Sequence, residues 1–298
     1  MLRASMLSVT GALAENALSW YAGAARDLPW RRPGAGPWAV LVSEVMLQQT
    51  PVVRVLPVYA EWLLRWPSPD ALAVEPAGEA IRQWGRLGYP RRALHLHAAA
   101  GAIVDRHDGR VPDSLADLLA LPGVGDYTAR AVATFAFGQR HAVVDTNVRR
   151  VLARALAGEA VGGATTTAAD LRRAEAVLPA DPATAGRAAV AIMELGALVC
   201  TARTPHCDRC PLEGCCVWLA AGRPAVALPA RRRKPYSGTD REVRGRLLAA
   251  LRSQAEPVQL SYLRLLWPDD RQLQRALAGL VADGLAQRDG PDRLGLPH

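Results

Sequence analysis

The sequence predicts a mostly helical, all-α chain with one compact cysteine cluster, and three observations support this prediction. Alanine, leucine and arginine recur with helical periodicity, whereas segments of alternating polar and apolar residues are few. Half of the 298 residues are apolar, which is enough for one large core and a second, smaller one. All five cysteines lie in the stretch CTARTPHCDRCPLEGCC, from Cys200 to Cys216.

Proline and glycine signals divide the first 200 residues into ten helical segments. They are predicted at 8–25, 37–49, 52–65, 78–86, 91–107, 114–120, 126–137, 146–157, 168–178 and 183–199. The next stretch, 221–239, is rich in Pro, Gly and Arg and is predicted to be a linker. In 240–298, three helical patterns and a short extended end resemble a small winged-helix module.

The formal net charge is +8, and almost every basic residue is arginine, since Lys234 is the only lysine. This excess suggests an anionic partner such as nucleic acid, although a genome biased towards Ala and Arg codons gives the same composition. No stretch approaches the ~20 apolar residues of a membrane span, and no export signal is visible. A cytoplasmic, nucleoid-associated location is therefore expected, where clustered cysteines bind metal more often than they form disulfides.

The cysteines follow the pattern Cys200-x6-Cys207-x2-Cys210-x5-Cys216, with Cys215 left over. Four thiolates at this spacing can enclose one cluster or metal ion, whereas zinc knuckles usually pair two short C-x2-C units. The pattern resembles the iron–sulfur loop of the endonuclease III superfamily of helix-hairpin-helix DNA glycosylases. That resemblance implies one [4Fe–4S] cluster on these four cysteines. Cys215 is then a spare buried thiol or an alternative ligand to its neighbour.

The second motif is LPGVGDYTARAVATFAFG, 121–138, which predicts a tight turn at Gly123 and Gly125 and a helix from Asp126. The free N–H groups of that helix suit a phosphate, although an ordinary turn between helices also fits. The motif resembles the DNA-gripping hairpin of the same superfamily. Tyr127 stands where bifunctional members have the lysine that forms a Schiff base, so the resemblance implies a monofunctional enzyme that leaves an abasic site.

The third motif is PWAVLVSEVMLQQTP, in which Glu44 has apolar residues one helical turn before and after it. Burial favours the protonated carboxyl that a general acid requires, although a buried glutamate is more often paired with an arginine in a structural network. The octapeptide SEVMLQQT resembles the MutY family of adenine glycosylases within the superfamily. The resemblance implies that Glu44 protonates adenine N7 and that Gln48 and Gln49 enter the duplex.

The fourth motif is VVDTNVRR, where the pattern alone predicts that Asp145 is a helix N-cap. The family resemblance implies that its charge stabilises the cationic sugar of the transition state or captures it covalently. Glu44 would then act as the acid for the leaving group and Asp145 as the anion for the sugar, as the two carboxyl groups do in glycoside hydrolysis. Asn147 is implied to hold this aspartate and the substrate, while Thr146 stands where many family members have glycine.

Three shorter matches add candidate contacts to the base and the duplex, with ordinary packing as the alternative for each. The segment RDLPWR resembles the lining of the adenine pocket, which makes Arg26, Trp30 and Arg31 candidate base contacts. The segment LGY resembles a family motif whose aromatic residue wedges into the base stack, here Tyr89. Glu194 matches an acidic residue near the pocket.

The resemblance implies a two-lobed helix-hairpin-helix glycosylase fold over residues 1–220. A six-helix lobe with the hairpin is expected at 30–140, and an iron–sulfur lobe at 1–29 and 141–220. Many family members end in a nudix-like domain that helps to recognise 8-oxoguanine, whereas 59 helical-looking residues follow Thr239.

The implied partner is double-stranded DNA with A:8-oxoguanine or A:G mispairs, and the implied role is base excision repair by a monomer. How the chain distinguishes 8-oxoguanine from guanine stays open. One alternative is a thymine or uracil mismatch glycosylase of the same superfamily. Another is a non-catalytic iron–sulfur DNA-binding protein, which would need neither Glu44 nor Asp145.

Overall fold

The computed structural model describes residues 2–225 and 236–298, in which the chain is mostly helical. Lys234 and the middle of the predicted linker lie outside the described residues. No helix in these ranges is long and apolar enough to cross a membrane. The helices before the linker are α1 (Leu2–Ala24), α2 (Pro37–Leu47), α3 (Val52–Arg65), α4 (Pro69–Ala73), α5 (Ala77–Trp84), α6 (Arg91–His107), α7 (Leu115–Leu119), α8 (Asp126–Phe135), α9 (Thr146–Leu152), α10 (Ala168–Val177), α11 (Pro182–Leu198) and α12 (Val217–Ala220).

The chain divides into two units. The first unit consists of Met1–Val40, Asp113–Leu119 and Gly125–Pro229, and the second of Leu41–Pro112, Ala120–Val124 and Ala230–His298. The C-terminal segment thus belongs to the same unit as helices α3 to α6. The division into a core, a linker at 221–239 and a module at 240–298 stays a prediction.

The core of the first unit forms where α1, α9, α10 and α11 pack together. Its inner surfaces are rich in alanine and branched aliphatic residues, among them Leu13, Leu152 and Ile192, all at most 2% exposed. Small side chains let the helix axes approach closely, so α9 is enclosed by its neighbours. Val144 and Val148 belong to this core and flank the start of α9, which fixes the position of Asp145.

The core of the second unit is built around three tryptophans of α3, its C-terminal end and α5. The ring of Trp62 meets Trp66 edge to face at 4.6 Å between centroids, and it meets Trp84 at 5.8 Å. All three are at most 1% exposed. Edge-to-face aromatic pairs add about 0.5–1.5 kcal/mol each to the gain from burial, so this cluster holds α3 against α5.

The C-terminal segment contains three helices and the strands of one small antiparallel sheet. The elements are α13 (Asp240–Arg252), β1 (Val258–Gln259), α14 (Leu260–Arg264), α15 (Asp270–Ala282), β2 (Gln287–Asp289) and β3 (Arg293–Gly295). The sheet order is β1-β3-β2, with Leu294 of β3 opposite Val258 on one side and Arg288 on the other. The sequence predicted the three helices and an extended end, but not the pairing of these strands, because two- and three-residue strands carry no periodicity.

Candidate active site and cysteine-lined cavity

Glu44 lies in the third turn of α2 and is only 6% exposed. The turn before it presents Val40 and Leu41, which are 3% and 0% exposed, so the carboxyl group belongs to an apolar helix face. This placement agrees with the helical pattern of the sequence. Its catalytic role stays a prediction.

The C-terminal end of α2 is held by Arg92, a buried arginine of α6 that the sequence patterns did not single out. Its Nη1 donates to the carbonyls of Val45 at 2.8 Å, Met46 at 3.0 Å and Gln48 at 2.6 Å. These are the carbonyl groups that a helix end leaves without an intrahelical partner. Burial lowers the pKa of Arg92 to about 10, so the guanidinium remains charged at neutral pH.

Two of the residues predicted to enter the duplex have left-handed backbones. Gln49 has φ of 54° and Tyr89 has φ of 48°. Side chains other than glycine adopt this region rarely, at a cost of about 1–3 kcal/mol, and such strain clusters at functional sites. The carbonyl before each, of Gln48 and of Gly88, accepts a hydrogen bond from Arg92. One arginine therefore fixes both strained segments.

The hairpin turn needs a glycine at Gly123 but not at Gly125. Gly123 has φ of +74°, and a Cβ there would collide with the side chain of His95. Gly125 has φ of −95° and open space around it, so neither its backbone conformation nor its protein neighbours require glycine. Its part in gripping DNA stays a prediction. Gly125 is the N-cap of α8 and supplies no side-chain cap, while Tyr127 lies half-buried in the first turn.

The structure brings the predicted pocket residues of the first unit together around Glu194, which is fully buried. Arg26 donates from Nε to Oε1 at 2.6 Å and from Nη2 to Oε2 at 2.7 Å, and Arg31 Nη1 lies 3.0 Å from Oε2. Burial raises the pKa of Glu194, but the hydrogen bond from Arg26 and the charges of Arg31 and Arg26 outweigh it, so the pKa lies below its ordinary value. Trp30, in the 3-10 turn Pro29–Arg31, is 7% exposed.

Asp145 caps α9, as the sequence pattern predicted. Its Oδ1 accepts from the N–H groups of Asn147 at 2.9 Å and Val148 at 2.7 Å, and its Oδ2 accepts from Asn147 Nδ2 at 2.7 Å. Burial raises the pKa of Asp145, and these hydrogen bonds and the charge of Arg150 only partly oppose the rise. Three donors thus hold the carboxylate in one orientation, while burial disfavours its charged form. Its catalytic role stays a prediction.

Arg150, which the sequence patterns also missed, links this aspartate to the cysteine loop. Its Nη2 donates to Asn147 Oδ1 at 2.8 Å and to Gly196 O at 2.6 Å, and its Nε donates to Cys200 O at 2.7 Å. A side chain at Gly196 would lie 2.7 Å from Asn147 Cβ, so only glycine fits there. A continuous set of hydrogen bonds therefore joins the first cysteine to Asp145.

Four of the five cysteines line one cavity, and Cys215 is not among them. The four are Cys200, Cys207, Cys210 and Cys216. Cys215 Sγ instead donates to Leu212 O at 3.5 Å, and the side chain packs against the first-unit core. The four cysteines that line the cavity are the four that the sequence spacing selected, and Cys215 is again the one left out.

The cavity has the chemistry of a site for a cationic group. Burial raises the pKa of Cys210 to about 11, and the other three cavity thiols raise it as well. At neutral pH the Cys210 thiol therefore ionises only when a metal or cluster compensates its charge. Arg154 Nη1 lies 3.3 Å from Cys200 Sγ, and Arg154 Cζ lies 4.5 Å from the centroid of the Trp218 ring. The four thiols line the cavity but are not arranged to hold a metal ion, since within 2–225 and 236–298 no group of three or more His, Cys, Asp or Glu side chains is so arranged. The match to a cluster rests on their number and their chemistry.

Comparison with known proteins identifies the family. Residues 42–174 match the HhH-GPD superfamily of base excision DNA repair proteins. An adenine DNA glycosylase of Mycobacterium tuberculosis (strain CDC 1551 / Oshkosh) is 52% identical over 283 residues, which is 95% of this chain and 92% of that protein. The chain belongs to the adenine DNA glycosylase family. The HhH-GPD match includes Glu44, the hairpin and Asp145.

More distant members of the superfamily match about 70% of the chain and share its fold. A thymine-DNA glycosylase of Aeropyrum pernix is 37% identical over 210 residues, 70% of this chain and 94% of that protein. The solved structure of a thermostable thymine-DNA glycosylase superposes with a TM-score of 0.64 at 26% identity, covering 72% of this chain and 98% of that one. The mostly helical fold of the HhH-GPD superfamily is therefore shown.

Proposed function

We propose that this protein removes adenine mispaired with 8-oxoguanine or guanine from duplex DNA, as a monofunctional glycosylase of base excision repair. The observation that carries the proposal is the 52% identity to an adenine DNA glycosylase over 95% of the chain. Burial of Glu44 and the three donors around Asp145 support it, since the two carboxyl groups have the different environments that an acid and an anion require.

In this proposal Glu44 gives its proton to N7 of adenine, so that the base leaves as a neutral molecule when the N-glycosidic bond breaks. The carboxylate of Asp145, held by Asn147, stabilises the positive charge that develops on the sugar. Water then adds at C1′ and leaves an abasic site. Tyr127 occupies the position of the Schiff-base lysine and has no amine, so the reaction stops there.

The adenine pocket is proposed to include Arg26, Trp30, Arg31 and Glu194. Arg31 Nη1 is buried and makes no hydrogen bond to any described residue, although it lies 3.0 Å from Glu194 Oε2. Its N–H groups are therefore available to a ring nitrogen of a bound base. Glu194 holds the two arginines in place. Gln48, Gln49, Tyr89 and the glycines of the hairpin are proposed to contact the duplex.

Four further proposals concern the cysteine loop, the C-terminal segment, the oligomeric state and the location. Cys200, Cys207, Cys210 and Cys216 fit a [4Fe–4S] cluster by number and thiol chemistry, and the cluster would cross-link the loop and take no part in base removal. The element order of 240–298, helix–strand–helix–helix–strand–strand, resembles a winged-helix module. A monomeric state and a cytoplasmic location are proposed with them.

The test is incubation of the purified protein with duplexes that carry a single A:8-oxoguanine, A:G, T:G, U:G or A:T pair, followed by alkali. We expect alkali-dependent strand breaks at A:8-oxoguanine and A:G, and few breaks without alkali. Breaks at T:G alone would establish the thymine glycosylase alternative, which the similarity to the Aeropyrum pernix enzyme favours. Binding without breaks at any pair would establish a non-catalytic DNA-binding protein.

A further inference from the structure

The C-terminal segment, 240–298, is fastened to α5. The N–H of Gly78 donates to Pro297 O at 2.7 Å, and a Cβ at this position would lie 2.5 Å from the same oxygen, so the close approach requires glycine. Arg82 Nη1 donates to Gln254 O at 2.8 Å. These contacts join backbone to backbone and side chain to backbone, so the segment has a fixed position on this helix.

A second attachment joins the segment to the start of α6. Asp283 Oδ1 lies 3.6 Å from Arg91 Nη1, and Arg244 of α13 pairs with the other oxygen of the same carboxylate. Asp283 therefore bridges α13 and the first turn of α6. Tyr89 is two residues before Arg91, so α13 is held beside the proposed wedge.

Two guanidinium groups lie close to the ring of Tyr89. Arg92 Cζ is 5.5 Å from the ring centroid and Arg241 Cζ, in the first turn of α13, is 5.9 Å from it. Arg92 is buried and donates to backbone carbonyls, whereas Arg241 is exposed. The neighbouring Arg244 and Arg246 pair with carboxylates, but Arg241 makes no ion pair within the described residues. Its charge is directed to solvent beside a ring that is 49% exposed.

We propose that Arg241 binds a phosphate of the duplex next to the point at which Tyr89 enters the base stack. The DNA-binding surface then extends onto the C-terminal segment. This inference rests on the proposed function, because it takes Tyr89 as the wedge. A guanidinium over an aromatic face keeps its N–H groups available for phosphate oxygens. In the free protein the contact with the ring places this guanidinium beside the wedge before the duplex binds.

The experiment measures binding of the full-length protein to an A:8-oxoguanine duplex by fluorescence anisotropy over a range of salt concentrations. The adenosine carries a 2′-fluorine, which disfavours the sugar cation and prevents turnover. The variants are Arg241→Ala, Arg241→Lys and Arg271→Ala, the last an exposed arginine of α15 without an ion pair among the described residues. Thermal unfolding of each variant is recorded as a control for folding.

Loss of one phosphate contact lowers the slope of log K against log[salt] by about 0.9 in magnitude, and we expect this change for Arg241→Ala. Arg241→Lys keeps the charge and the slope, and Arg271→Ala keeps both the slope and the affinity. The preference for the mispaired over a fully paired duplex should not change, since phosphate contacts carry no sequence information. Equal slopes for the wild type and Arg241→Ala would overturn the inference, as would a lost slope in Arg241→Lys.

Failure of the inference is distinguishable from failure of the proposed function. If the wild type releases no adenine from an unmodified duplex, the proposed function is wrong whatever the salt slopes are. If it releases adenine and the slope does not depend on Arg241, only the extended DNA surface is wrong.

Discussion

Replacing Asn147 by alanine tests how the ionisation of Asp145 is controlled. The side-chain amide donates a 2.7 Å hydrogen bond to Asp145 Oδ2, while the two backbone donors to Oδ1 remain in the variant. A hydrogen bond to a charged group contributes about 1.5–3 kcal/mol. Because burial already raises the pKa of Asp145, removing this donor raises it further.

The expected result depends on pH. About 1.4 kcal/mol corresponds to a factor of ten, so at a pH on the acid limb of the profile the rate of adenine release should fall roughly 10- to 100-fold. At a pH where Asp145 is ionised in both proteins, the rate should fall much less. The assay is the single-turnover rate of adenine release as a function of pH, with Thr146→Ala as the control at an exposed neighbouring position. A loss of the same size at every pH, or an acid limb that does not move, would refute the reasoning.

Three further predictions concern the residues that hold the proposed pocket, the end of α2 and the cysteine loop in place. Arg92→Met removes five hydrogen bonds and leaves buried carbonyls without a donor, at about 1–3 kcal/mol each, so urea unfolding should show a loss of several kcal/mol and duplex binding should weaken. Unchanged stability would contradict this. Glu194→Gln leaves the partly exposed Arg26 and the half-buried Arg31 without their counter-charge and should cost about 1.5–3 kcal/mol at neutral pH. Because the folded pKa of Glu194 is lowered, its stabilisation is present above the ordinary value of 4.5 and is lost as the pH falls through the folded pKa, so the variant and the wild type should converge in acid. Cys216→Ser should lose most of its iron and sulfide, whereas Cys215→Ser should keep both; the reverse pattern would reassign the fourth ligand.

Local signals in the sequence were sufficient to predict most of the helices and the N-cap of α9. The predicted segments 52–65 and 91–107 have the bounds of α3 and α6, because the apolar period and the flanking Pro and Gly residues mark both ends. Asp145 was predicted at the start of α9 from residue type and position alone. Helix α4, Pro69–Ala73, was not predicted, since five residues are too few to show a period.

The arginines that position the proposed site residues could not be predicted, because their roles depend on contacts between distant parts of the chain. Arg92 and Val45 are 47 positions apart, and Arg150 and Cys200 are 50 apart. No local pattern distinguishes these arginines from the many others in an arginine-rich chain. The attachment of the C-terminal segment through Gly78 could not be predicted for the same reason, since its partner Pro297 lies far along the chain, near the last residue of the sequence.

The most direct test of the account is the single-turnover release of adenine from an A:8-oxoguanine duplex by wild type, Glu44→Gln and Asp145→Asn. A positioned general acid contributes about 10²- to 10⁴-fold, and loss of one electrostatic stabiliser costs about 10²- to 10³-fold. Each variant should therefore lose at least about 100-fold in rate while it still binds the duplex. Asparagine remains a good N-cap, so Asp145→Asn should keep its thermal stability. If either variant released adenine at the wild-type rate, the assignment of the chemistry to Glu44 and Asp145 would be wrong.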